Sequence, residues 1–126
     1  VHARHLARRH TEHGRTAFLY FFERTPPEPG PHAGAYHAAE IPFVFDSHSD
    51  AFARAPGDAE LTRTLVRYWA NFARTGDPNG EGLPAWPAWR EADPWMVLGP
   101  QVRVEHRIRA DRLDLLEGVL SARIGD

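Results

Sequence analysis

A chain of 126 residues that is 42% hydrophobic and 25% charged has the composition of one small globular domain or of a piece of a larger one. A net charge of −2 gives no footing for nucleic acid or for an anionic membrane surface, and no apolar run approaches the roughly 20 residues of a membrane-spanning helix. With no Cys, this stretch has neither disulfides nor thiolate chemistry, which fits a reducing compartment such as the cytoplasm without assigning one.

Residues 1–13 are rich in Ala, Arg and His and are predicted to form a helix that ends near Gly14. The opening stretch Val1-His2-Ala3-Arg4-His5 is polar and carries no signal-peptide core. A start without Met leaves any upstream signal unread, so localisation stays open. Residues 16–24 follow as a strand, because Ala17-Phe18-Leu19-Tyr20-Phe21-Phe22 is a continuous apolar run of the kind buried in parallel sheets. The stretch Thr25-Pro26-Pro27-Glu28-Pro29-Gly30-Pro31 then breaks any regular structure, since successive prolines fix φ and remove donors. This loop delivers the chain to His37. A turn or short helix is expected from Ala38, limited by Pro42, and a second polar loop runs from Asp46 to Gly57.

Residues 58–75 carry the strongest helical period. Leu61, Leu65, Trp69 and Phe72 recur at i, i+4, i+8 and i+11 and form one apolar face. Asp58 is the expected N-cap, and Glu60 favours the first turn. Gly76 is expected to close the helix in a left-handed conformation before the Asp77-Pro78-Asn79-Gly80 turn. Trp86-Pro87-Ala88-Trp89 is irregular and aromatic. Two short strands, Trp95–Leu98 and Val102–Glu105, flank Gly99-Pro100. A last amphipathic helix spans 110–122, with Leu113, Leu116 and Leu120 on one side.

Two stretches carry chemistry. The first is Gly34-Ala35-Tyr36-His37-Ala38-Ala39-Glu40-Ile41-Pro42-Phe43-Val44-Phe45. It places a histidine in a polar loop beyond a strand, where a hydrolase holds its general base. Read alone, His37 is more readily a solvent-exposed loop histidine than a catalytic base. The second is Arg67-Tyr68-Trp69-Ala70-Asn71-Phe72-Ala73-Arg74-Thr75-Gly76-Asp77-Pro78-Asn79.

The first stretch resembles the histidine motif of the type B carboxylesterases, the family of the cholinesterases. Its pattern is Gly-x-x-His, one or two small residues, Glu or Asp, Leu or Ile, then Pro-Phe-Val-Phe. The second is similar to the Tyr-Trp-x-Asn-Phe-Ala-x-Thr-Gly-Asp-Pro-Asn signature of the same family, and Trp86-Pro87 and Met96-Val97-Leu98 follow in the family's order. The likeness spans about residues 17–105 with both long motifs in sequence.

The resemblance implies an α/β-hydrolase, of which residues 1–126 would be a C-terminal fragment holding the last strands and helices of a mostly parallel sheet. It implies carboxylic ester hydrolysis through an acyl-serine intermediate, with His37 as the triad base and no cofactor or metal. The nucleophile elbow Gly-x-Ser-x-Gly is absent from the sequence. In the family the triad acid precedes the histidine segment. The chain alone is therefore expected to be inactive and to need the remainder of the hydrolase domain to act on a small-molecule ester.

Glu40 lies three residues after His37. On a helical turn the two would stack side by side, so Glu40 is expected to steady the loop rather than to orient the imidazole. His2, His5, His10 and His13 fall within about 140° of one helix face. They invite a metal site, but the spacing suits a shared ion poorly and a solvated face is preferred. His32, His48 and His106 are isolated and receive no role. Trp69, Phe72, Trp86, Trp89 and Trp95 are either pocket walls or core, with core preferred for Trp69 and Phe72. Phe43 and Phe45 are candidates for substrate contact. Two other classes remain open: a non-catalytic binding or adhesion relative of the same fold, and a small His-rich metal-binding module.

Overall fold

A computed structural model describes residues 2–25, 34–49 and 55–124. The predicted Pro-rich loop beyond Thr25, with His32, and residues 50–54 of the second polar loop lie outside the described residues. Seven elements follow in chain order: α1 (His2–Glu12), β1 (Tyr20–Phe22), α2 (Ile41–Val44), α3 (Asp58–Thr75), β2 (Pro94–Leu98), β3 (Arg103–His106) and α4 (Ala110–Ile124). No helix among the described residues is long and apolar enough to cross a membrane.

The strands form one sheet in the order β1-β2-β3. Met96 N donates to Leu19 O at 2.9 Å and Glu23 N donates to Leu98 O at 2.9 Å. The two bonds advance in the same direction along both strands, so β1 and β2 are parallel. Only Gly99–Val102 separate β2 from β3, too few residues for a crossover, so that pair is antiparallel. The predicted buried strand at 16–24 shrinks to Tyr20–Phe22, all half-buried. The fully buried strand is β2, whose central place in the sheet gives it partners on both edges.

The chain divides into two compact units. The first comprises Val1–Leu19, Pro87–Met96 and Val104–Asp126. Its centre is ionic. Arg4 of α1 is buried and donates to Glu117 at 2.7 Å and to Asp93 at 3.3 Å, and it also pairs with Asp114. The indole nitrogens of Trp89 and Trp95 donate to the other oxygen of Asp93 at 2.8 and 2.9 Å. These two tryptophans are therefore core, anchored by a carboxylate. On α4 the expected leucine stripe is only partly covered: Leu113 and Leu120 are half-buried, Leu116 is 49% exposed, and Glu117 is the buried residue. Arg4 and Arg8 both bind Glu117, and that charge pairing sets the rotation of the helix.

The second unit comprises Tyr20–Trp86 and Val97–Arg103, with α2 packed on α3. Helix α3 has the predicted span, and the predicted face is buried along its first part. Leu61, Leu65 and Tyr68 are buried, whereas Phe72 is 49% exposed and Trp69 is half-buried. Tyr68 joins that face as a buried ring: its hydroxyl donates to the Pro84 carbonyl at 2.6 Å and its ring meets Trp86 edge-on at 5.0 Å. The N-cap is Gly57 at φ 91°, not Asp58. Asp58 opens the first turn, accepting from the Ala55 amide at 2.6 Å and from Arg24. Gly76 closes the helix as expected, at φ 78° with its amide on Phe72 O. Pro42 does not limit the short helix; it sits within the first turn of α2, where a missing N–H costs nothing.

Candidate active site

His37 sits in a pair of consecutive turns between β1 and α2. Ala39 N donates to Tyr36 O at 3.1 Å, and Ile41 N donates to Ala38 O at 3.2 Å. The first turn holds its third residue, Ala38, at φ 67°, a left-handed conformation that costs an L-residue roughly 1–2 kcal/mol. Gly34 enters the segment at φ 60° without that penalty. The side chain of His37 is exposed. Among the described residues no carboxylate is hydrogen-bonded to its ring.

Glu40 is engaged elsewhere. Its Oε1 accepts from the Tyr20 hydroxyl at 3.2 Å, so the carboxylate ties the end of the histidine turn to β1. Burial, followed by the charge and hydrogen bond of Glu40, pushes the Tyr20 hydroxyl up to about 12, and it remains a donor through neutral pH. The Tyr20 ring meets Trp69 edge-on at 5.3 Å and Trp86 at 6.2 Å, which holds it against the Tyr68-Trp69 motif of α3.

Phe43 and Phe45 separate. Phe43 is completely buried, 5.4 Å from Phe22 and with the Arg24 guanidinium 5.4 Å above its ring, so it is core. Phe45 is 72% exposed and remains a surface group beside the loop. The isolated histidines also separate. The His48 side chain is nearly buried, with its ring 4.7 Å from Phe43 and edge-on to it, a packing role that the sequence did not announce. His106 is exposed on β3.

Asp58 sustains the ground on which this loop stands. Burial pushes its carboxyl up, but hydrogen bonds from Arg24 and from the Ala55 amide, together with the Arg24 charge, hold it net below the usual carboxylate range. Arg24 grips it through two nitrogens, at 3.0 and 2.6 Å. A carboxyl held low in the folded state stabilises the fold above its unfolded value of about 4, and that stability is lost as pH falls through the folded value. Asp58→Asn removes a buried charged partner and is expected to cost about 3–5 kcal/mol at pH 7. The gap from the parent protein should narrow below pH 4. Denaturant midpoints at the two pH values measure both effects, and an equal gap at both would contradict the assignment.

His2 and His10 of α1 and His13 just beyond it are exposed, and His13 Nδ1 donates to the Arg9 carbonyl at 2.7 Å. Among the described residues no group of three or more His, Cys, Asp or Glu is placed to hold a metal ion. A cavity of about 600 Å³ in the first unit is lined by Arg4, Arg8, Asp93, Arg107 and Asp114 among others. Its charges are largely paired with each other, and it includes no residue of the histidine loop. The sequence reading missed Arg4, Arg24 and Tyr20. The signals available were the Arg4/Arg8 spacing on α1, the Asp114/Glu117 spacing on α4, and one hydroxyl inside an apolar run.

A parallel strand pair in a chain that alternates helices and strands is consistent with part of an α/β-hydrolase fold, the fold of the esterases whose solved structures it resembles. An esterase from the anaerobe Clostridium hathewayi, described as able to hydrolyse aliphatic aromatic polyesters, superposes with a TM-score of 0.72 at 25% identity, over 92% of this chain and 23% of that one. The profile of the carboxylesterase family matches residues 1–116, and the chain belongs to that family. It is 38% identical over 96 residues to human (Homo sapiens) cocaine esterase, covering 75% of this chain and 17% of that protein. It is 36% identical over 129 aligned positions to carboxylesterase 5A of the dog (Canis lupus familiaris), covering 90% of this chain and 22% of the relative. The chain thus spans about a fifth of the length of the relatives it matches.

Proposed function

We propose that these residues are the C-terminal portion of a serine carboxylesterase and supply its triad histidine, His37. The observation that carries this is the exposed imidazole on a double turn after β1, in a chain that belongs to the carboxylesterase family. In this reading His37 takes the proton from the serine hydroxyl during acylation and returns it to the leaving alcohol. It then takes a proton from the water that releases the acid. The acid that orients its other nitrogen comes from the preceding part of the domain, because Glu40 already holds Tyr20. The substrate class is a carboxylic ester, and no metal or cofactor takes part.

The test uses the intact protein and the 126-residue chain side by side, with an activated short-chain ester and a serine-directed phosphonate probe. The intact protein is expected to turn over, with the phosphonate on a serine preceding Val1. The chain alone is expected to show no saturable turnover. Labelling of Ser47, Ser49 or Ser121, or turnover by the short chain that vanishes in His37→Ala, would overturn the reading.

A further inference from the structure

We propose that Tyr20 is a positioning residue for His37, acting through its hydrogen bond to Glu40. The inference rests on the reading of His37 as the triad base and adds what sets its place.

The contacts form an unbroken series. Trp69 and Trp86 both meet the Tyr20 ring edge-on and lie 5.9 Å from each other, so the three rings form one cluster. The hydroxyl so fixed donates to Glu40 Oε1 at 3.2 Å. Backbone Glu40 O then accepts from Phe43 N and Val44 N, both at 3.0 Å, which opens α2. Glu40 is therefore the joint between the double turn that bears His37 and the helix that follows. Alternate residues of one chain segment repeat the pattern. Tyr20 holds Glu40, Phe22 meets Phe43 at 5.4 Å, and Arg24 caps the Phe43 ring. Residues two apart on a strand share a face, so one face of this segment reads out onto successive positions of the histidine segment.

An exposed imidazole has no packing of its own to fix it, and its backbone includes the strained Ala38. Its placement must come from anchors on either side. Upstream the chain enters through Gly34; downstream Ala39 is buried and Glu40 makes the first side-chain hydrogen bond. Loss of that anchor lets the turn relax by a fraction of an ångström. Such a displacement weakens proton transfer in the transition state more than it weakens binding of the ester.

The experiment compares Tyr20→Phe, Glu40→Ala, Glu40→Gln, the double Tyr20→Phe/Glu40→Ala and His37→Ala in the intact esterase. It records kcat per titrated active site, KM for an activated ester, and the thermal midpoint. Tyr20→Phe and Glu40→Ala are each expected to lower kcat per site about tenfold with KM unchanged. The double variant should fall no further than the worse single. Glu40→Gln keeps an acceptor oxygen and should remain within about threefold of the parent. If Tyr20→Phe folds poorly, Glu40→Ala carries the test, since its side chain is only half-buried. Parent-like kcat in both single variants, with His37→Ala inactive, overturns the positioning role and leaves the base in place. Additive losses, an equal loss in Glu40→Gln, or a fall only in the number of titratable sites also overturn it. Near-normal kcat in His37→Ala overturns the underlying assignment, and this proposal with it.

Discussion

If His37 is the triad base proposed above, replacing it by alanine in the intact protein is expected to cut kcat by on the order of 10³-fold or more, with little change in KM. A serine hydroxyl is a weak nucleophile without a neighbouring base, so the loss falls on the chemical step. The same change should leave stability within about 0.5 kcal/mol, because the side chain is exposed and contributes no core packing. Steady-state kinetics with active-site titration, beside a thermal melt, measure the two quantities separately. The control is His106→Ala on β3, where the histidine is also exposed. His48 is a poor control although it lies in the next loop. Its ring packs against Phe43, so truncating it costs stability without touching the chemistry. Equal kinetic losses in His37→Ala and His106→Ala would show that the wrong histidine has been chosen.

A large effect on stability is expected at Arg4. Arg4→Met leaves the buried carboxylates of Asp93 and Glu117 without the guanidinium that bridges them, and should cost about 3–5 kcal/mol at neutral pH. Glu117 gives the penalty a sign in pH. Burial pushes its carboxyl up, but the Arg4 hydrogen bond and the charges of Arg4 and Arg8 hold it net below the usual range. A carboxyl lowered on folding contributes stability that is complete above its unfolded value of about 4.3 and is lost as pH falls through the folded value. The difference between Arg4→Met and the parent should therefore shrink below pH 4. Thermal midpoints at pH 7 and pH 3.5 test this. A difference that persists unchanged in acid would mean that Arg4 acts by packing rather than by charge.

The sequence by itself determined the helices and the family. Period and end signals located α1 and α3 within a residue or two, because a helix and its glycine stop are local events governed by φ preference and by spacing within a few residues. The two long motifs were legible because each is contiguous in the chain, and the family match over residues 1–116 agrees with them.

Only the tertiary structure decided which side of each helix faces inward. On α3 the apolar period found the buried Leu61 and Leu65 but not Tyr68, whose hydroxyl finds the Pro84 carbonyl sixteen residues away. On α4 the leucines lost to Glu117, whose partner Arg4 lies 113 residues earlier in the chain. Glu40 and Tyr20, twenty residues apart, carry no shared local signal either. The spacing of apolar residues along a helix weighs one segment against solvent, whereas a buried polar group takes its place from a partner that only the folded chain brings into hydrogen-bonding reach. Pairings of that kind fix the surroundings of His37, and they become visible only once β1, α2 and α3 are in contact.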